Sequence, residues 1–170
     1  MQFTPGEVGD NPFMALAVKL APLVKEVPRD LANALHENPY LIIDKIKQVL
    51  DNKPNWVEMF LFIDQFEELF TLAHGEYLQH FVDLLDIIHT TGHVRIVVTM
   101  RSDFYHRCID LLKLANLLQD GTFPLAIPGL YALREMIIRP AERAGLQFEF
   151  GLPDKVLDDT GNEAGTLALM

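Results

Sequence analysis

An α/β fold built on a parallel sheet is what the sequence predicts, and three observations predict it. Two short apolar runs, Val57–Ile63 and His93–Met100, read as strands covered on both faces, the second rich in β-branched residues. Between them, Glu76–His89 repeats Leu78, Phe81, Val82, Leu85 and Ile88 at helical spacing, with Gly92 placed to end the helix. Strands alternating with helices of that length require right-handed crossovers, and therefore a parallel sheet with helices on both faces.

The remaining elements follow in chain order. After a short extended start, Asn11-Pro12 can cap and open a helix whose stripe is Phe13, Leu16, Ala17, Leu20 and Val24, running until Pro28. Leu31–His36 and Tyr40–Leu50 are two further helical patterns, and Asp51–Asn55 is turn material before the first long apolar run. Helical segments are expected from Asp103 to Leu118, then a turn at Asp120-Gly121 and a third strand over Phe123–Ile127. The tail, Leu130–Met170, reads as helical, interrupted at Pro140, with a short extended Gln147–Phe150 and a last helix from Pro153. Pro128-Gly129 is the candidate boundary, dividing a core over residues 1–128 from a helical module over 129–170.

Composition narrows the function classes. An apolar content of 49% supports a core, and a net charge of −10 disfavours nucleic acid, whose binding rests on Lys and Arg neutralising phosphates. No run approaches the roughly 18 apolar residues of a membrane span, and the amino terminus has no signal pattern, so a cytoplasmic setting is expected. The single cysteine, Cys108, has no internal partner for a disulfide.

The most informative stretch is Phe60–Phe70, where an apolar strand stops at Asp64 and a helix opens with Glu67 and Glu68. Ligands of open parallel sheets bind outside the carboxyl ends of the strands, which is where Asp64 projects. A hard cation such as Mg²⁺ needs only one or two carboxylates beside water and phosphate oxygens. Glu67 and Glu68 follow within about one helical turn, so at least one can share the pocket, where a carboxylate can orient or deprotonate water. The same residues have an ordinary explanation, because an Asp is a common N-cap and acids suit a first helical turn. Arg101, after Val97–Met100, would stand at the same edge and could meet a γ-phosphate, or could equally form a surface ion pair with Asp103 or Glu67. Ser102 or Asp103 can also serve as the cap of the next helix.

Together, Ile63-Asp64-Gln65-Phe66-Glu67-Glu68-Leu69-Phe70 and Val98-Thr99-Met100-Arg101-Ser102-Asp103-Phe104-Tyr105 resemble the STAND class of P-loop NTPases, and more narrowly a bacterial subgroup often joined to WD-repeat propellers. Thr4-Pro5-Gly6 and Ile138–Leu146 are similar to that subgroup as well, so the resemblance spans nearly the whole chain. It implies a three-layer P-loop NTPase-like sheet followed by a small helical module. It implies that Asp64 is the Walker B carboxylate acting on Mg²⁺, that Glu67 and Glu68 are the acidic pair associated with ATP hydrolysis, and that Arg101 is a nucleotide sensor. Near the end, Gly161–Leu167 departs from related sequences, which often carry a proline where Ala164 or Thr166 stands.

A Walker A loop, G-x-x-x-x-G-K-[ST], is absent from the sequence; Gly6-Glu7-Val8-Gly9-Asp10 lacks its Lys and hydroxyl and adds negative charge. By the resemblance the chain begins after that loop and lacks the central first strand. Val94–Met100 and Phe123–Ile127 would then pair directly or each expose an edge, and an uncovered Ile96-Val97-Val98 edge invites aggregation or a partner. The expected function is that of a fragment of an ATP- and Mg²⁺-dependent signalling switch, inactive in hydrolysis alone. Its partners would be the other domains of a parent protein, a WD-repeat propeller among them, or further copies of itself. The alternatives are a non-catalytic interaction module and, last, a free-standing Mg²⁺-dependent hydrolase using Asp64, Glu67 and Glu68.

Other residues carry less. The six histidines form no H-E-x-x-H and suit surface or cap roles, and Cys108 and His106, two apart on a helix, face different ways. Trp56, Phe66, Phe70 and Phe81 are expected at the core or its boundary.

Overall fold

The computed structural model describes residues 1–73, 75–119, 121–126 and 128–160, with the Thr160 side chain left aside. The chain forms two compact units, Met1–Thr122 and the part from Phe123 onward.

Three parallel strands make the sheet of the first unit: β1 (Gln2–Phe3), β2 (Met59–Ile63) and β3 (Val94–Val98), in the order β1-β2-β3. Phe3 is level with Ile63, and Ile63 with Val98, so the three strands end together. Between β1 and β2 run α1 (Pro12–Val24), α2 (Pro28–Glu37) and α3 (Leu41–Leu50); between β2 and β3 run the short α4 (Glu68–Thr71) and α5 (Glu76–Thr90). After β3 come a 3₁₀ turn (Ser102–Phe104), α6 (Tyr105–Ile109) and α7 (Leu112–Leu118).

Local chemistry explains the boundaries. The Asn11 side chain accepts from the Phe13 and Met14 amides at 3.0 and 3.3 Å, with Pro12 in the first turn, where its missing N–H costs nothing. Lys25 closes α1 in the left-handed region (φ 58°), and Gly92 (φ 68°) follows α5. Alternation along β2 sends Met59, Leu61 and Ile63 into the core, which gathers Phe3, Phe13 and Phe81 from β1, α1 and α5.

Several expectations change. Helices cover one face of the sheet; on the other, Phe60 is 54% and Val97 43% exposed, so these apolar side chains, which read as burial on both sides, line an open face. The third strand is β1, not Phe123–Ile127. Residues 123–126 are irregular, with Phe123 83% and Leu125 84% exposed, and no neighbouring strand supplies the hydrogen bonds a strand requires; Ile127 lies outside the described residues. The helical segments expected over Asp103–Leu118 are three short pieces, a 3₁₀ turn and two helices, and no side chain caps any of them. Trp56 is 82% exposed, a turn residue rather than a core one, whereas Phe66 and Phe81 are fully buried. His36 and His80, expected at the surface or as caps, are half-buried: His36 packs against both the Phe13 and Tyr77 rings, with its Nε2 3.1 Å from His80 Nδ1.

In the second unit, α8 (Leu130–Arg143) carries Pro140 within it and α9 spans Leu152–Thr160; Arg134 Nε lies 3.0 Å from Asp154 Oδ1. Gln147–Glu149, expected as a short extended stretch, lies in neither helix nor strand, Phe150 is in a turn, and Gly161–Leu167 lies outside the described residues.

The outer edge of β3 has no strand partner among the described residues. In a parallel ladder alternate residues face each neighbour, so the N–H and C=O groups of Ile96 and Val98 point to that edge. Val97→Lys places a charge on this strand at an exposed position. It is expected to reduce self-association in sedimentation velocity while changing stability by no more than about 0.5 kcal/mol. Unchanged association would show that the edge is not the adhesive surface.

Candidate functional site at the strand ends

The common ending of β1, β2 and β3 sets the site. The Asp64 amide donates to the Phe3 carbonyl at 3.0 Å, and the Thr99 amide donates to the Ile63 carbonyl at 3.0 Å, so the backbone around Asp64 is clamped from both neighbouring strands. Gln65 then turns the chain sharply in the left-handed region (φ 49°), an uncommon conformation for a residue with a side chain. The Phe66 amide bonds to the Thr99 carbonyl at 2.8 Å and the Phe66 ring is fully buried, which fixes the exit from the turn.

Asp64 does not cap a helix. Its Oδ1 accepts from the Gln65 amide at 3.0 Å and from the Thr99 hydroxyl in a short contact, while α4 begins four residues later at Glu68 without a side-chain cap. The Thr99 hydroxyl also accepts from the Gln65 amide at 3.3 Å. Among the described residues no hydrogen bond is made to Asp64 Oδ2, and the side chain is half-buried.

Glu67 and Glu68 diverge. Glu67 Oε2 accepts weakly from the Arg101 amide at 3.4 Å, on the β3 side; Glu68 Oε2 accepts from the Gly6 amide at 2.8 Å, on the β1 side. Arg101 reaches the site by its backbone, while its guanidinium forks onto Asp103, with Nε to Oδ1 at 3.1 Å and Nη2 to Oδ2 at 2.8 Å. That fork lowers the Asp103 carboxyl below its ordinary value and raises Arg101. Both side chains are more than half exposed, so the pair is an open, salt-sensitive one and can exchange Asp103 for another anion.

Of the residues singled out from sequence, Asp64, Glu67 and the Arg101 backbone stand together, and Glu68 faces the other side of the same strand ends. Sequence reasoning gave no role to Thr99, although a hydroxyl in the first position past an apolar strand, level with the residue after Ile63, was a usable signal once the register was known. No cluster of three or more His, Cys, Asp or Glu converges among the described residues. The donors present are hard oxygens in small number, the set that suits Mg²⁺ bound partly by phosphate and water. Two clefts lie elsewhere, one at the opposite end of the sheet beside Lys53 and His93, the other between Phe70, Leu78 and His106.

Cys108 is buried with its Sγ 3.5 Å from Met100 Sδ, and burial pushes the thiol up to about 11. The thiol is therefore protonated through neutral pH, and about a hundredfold less thiolate is present at pH 8 than for an exposed cysteine. Disulfide exchange with a chromogenic reagent should be slower by at least that factor in the folded chain and normal in denaturant. Fast labelling at pH 8 would contradict it. His106 is exposed and makes no pair with this thiol.

No helix among the described residues is long and apolar enough to cross a membrane. No curated protein and no solved structure matches the chain. A family model does match, and it covers residues 1–170, so both the strand-end acids and the second unit fall within it. The chain belongs to the family described as Novel STAND NTPase 1.

Proposed function

We propose that this chain carries the Walker B and sensor side of a STAND-type nucleotide switch, with Asp64 as the carboxylate that meets Mg²⁺. The observation that carries the reading is the Asp64 side chain itself: at the shared end of three parallel strands, Oδ1 is fixed by Thr99 and the Gln65 amide, and Oδ2 has no hydrogen-bond partner among the described residues. Mg²⁺ bound there would neutralise negative charge on the phosphates. One carboxylate of the acidic pair is available for orienting or accepting a proton from water, and Arg101, by exchanging Asp103 for a γ-phosphate, would report nucleotide state. ATP- and Mg²⁺-dependent rearrangement, reset by slow hydrolysis, is then the signalling step.

The sequence holds no G-x-x-x-x-G-K-[ST], so the phosphates lack their usual cradle and the chain alone is expected not to turn over ATP. The test measures Mg²⁺-dependent ATP binding and hydrolysis by the chain alone and joined behind a phosphate-binding loop and strand. Activity only in the joined form supports the reading; hydrolysis by the chain alone, lost in Asp64→Ala, favours a free-standing hydrolase.

A second reading, a non-catalytic interaction module, is favoured by the open sheet face at Phe60 and Val97 and by the β3 edge, which is unpaired among the described residues. It expects no ATP affinity even in the joined form.

A further inference from the structure

The acidic pair is split by geometry. Consecutive residues at the start of a helix point about 100° apart, so Glu67 and Glu68 cannot both face one pocket. Glu67 is turned to the β3 side, where the Arg101 amide lies 3.4 Å from its Oε2. Glu68 is turned to the β1 side and takes the Gly6 amide at 2.8 Å, across 62 residues of sequence.

The loop it grips is close-fitting. Glu7 and Gly9 amides turn back onto the Thr4 and Gly6 carbonyls at 3.2 and 3.1 Å, and Pro5 is buried. A Cβ added at Gly6 would lie 2.9 Å from Glu68 Oε2 and 2.3 Å from Leu72 Cδ1, so a side chain here would push the Glu68 carboxylate and the Leu72 tip from their present places. The loop leads straight to Asn11 and α1, and Glu7 pairs with Lys19 on that helix.

We propose that Glu68 is a positioning residue, clasping the β1–α1 loop to the strand ends, and that Glu67 is the member of the pair placed to act on water. The clasp stands on the geometry; the division of roles rests on the Mg²⁺–nucleotide reading above. A carboxylate accepting an amide N–H makes a charge-assisted bond, and that bond holds the Glu68 carboxylate on the β1 side, away from Glu67 and Arg101. Gln in place of Glu68 keeps a carbonyl oxygen for Gly6, whereas Gln in place of Glu67 removes a base.

The first arm follows amide exchange in the ¹⁵N-glycine-labelled 170-residue chain. Glu68→Ala is expected to speed exchange at Gly6 by about tenfold or more. Glu68→Gln should restore it to within about threefold, and Glu67→Ala should leave it unchanged. Glu68→Asp, one methylene shorter and out of reach of the Gly6 amide, should also speed its exchange, a contrast with Glu68→Gln that decides the matter even if the alanine variant does not fold. Indifference of Gly6 to Glu68, or an equal response to Glu67→Ala, overturns the clasp.

The second arm uses the chain joined behind a phosphate-binding loop. Glu67→Gln is expected to lower kcat about a hundredfold with little change in KM, while Glu68→Gln keeps kcat within about threefold. Equal losses overturn the division of roles. Asp64→Ala that leaves Mg²⁺–ATP binding intact would sink the nucleotide reading instead, without moving the Gly6 exchange.

Discussion

Phe81→Ala is expected to destabilise the first unit by about 3–5 kcal/mol. The Phe81 side chain is fully buried, its ring edge-on to Phe3 at 6.4 Å and to Phe13 at 5.3 Å between centroids. Those contacts join β1, α1 and α5, so truncation removes both the apolar burial of the ring and the common contact of three elements. With β1 only two residues long, little else in its own length holds it to the helices. Small domains hold only about 5–15 kcal/mol in total, so the loss is a large share of the stability. Urea denaturation followed by circular dichroism would read it as a lower midpoint with a similar slope. Trp56→Ala, at an exposed turn, should change stability by about 0.5 kcal/mol or less. Equal effects from the two substitutions would mean the aromatic cluster is not the centre of this core.

How far the fold was legible depended on how many residues each element offered. α1 announced itself through Asn11-Pro12 and five apolar positions, and the structure returns both cap and stripe. β2 and β3 were legible as apolar runs, because buried parallel strands need no alternation. The open face at Phe60 and Val97 was not, since an apolar run says that both faces are apolar and cannot say that both are covered. β1 is two residues long, too short for any period, and exists because Gln2 and Phe3 meet Phe62 and Ile63. Phe123–Ile127 erred in the opposite direction: its composition suits a strand, but pairing is a tertiary event that its composition does not contain.

The site divided in the same way. Asp64 and Arg101 could be placed from sequence because strand ends are predictable positions, and the structure brings their backbones to adjacent strand ends. The partners of those residues were not legible. Thr99 meets Asp64 only through the β2–β3 register, and Gly6 meets Glu68 through a loop that no local pattern connects to α4. Arg101 illustrates a genuine choice left open by sequence, between a phosphate and a neighbouring acid; in this state the neighbour is Asp103.

The other large effect is expected at Asp64, in the chain joined behind a phosphate-binding loop. Asp64→Ala should lower Mg²⁺-dependent ATP hydrolysis about a thousandfold, the loss corresponding to several kcal/mol of charge stabilisation at the phosphates. Asp64→Asn is the sharper test. It keeps the size of the side chain and an oxygen that can accept from Thr99, and it removes only the charge. If the charge carries the function, Asn should behave nearly as Ala in hydrolysis, and raising Mg²⁺ should recover part of the Asn variant's activity. Thr99→Val, which keeps the Asp64 carboxyl group and removes one of the two donors that orient its Oδ1, should cost less, about 10–100-fold, as loss of an orienting partner does. Stability provides the control: removing the carboxylate leaves the Asp64–Phe3 and Thr99–Ile63 backbone bonds in place, so thermal unfolding should shift only modestly. An Asp64→Asn variant with wild-type Mg²⁺ dependence would sink the metal-binding role, and the carboxylate would then be a structural anchor for the Gln65 turn, whose left-handed backbone it already bonds.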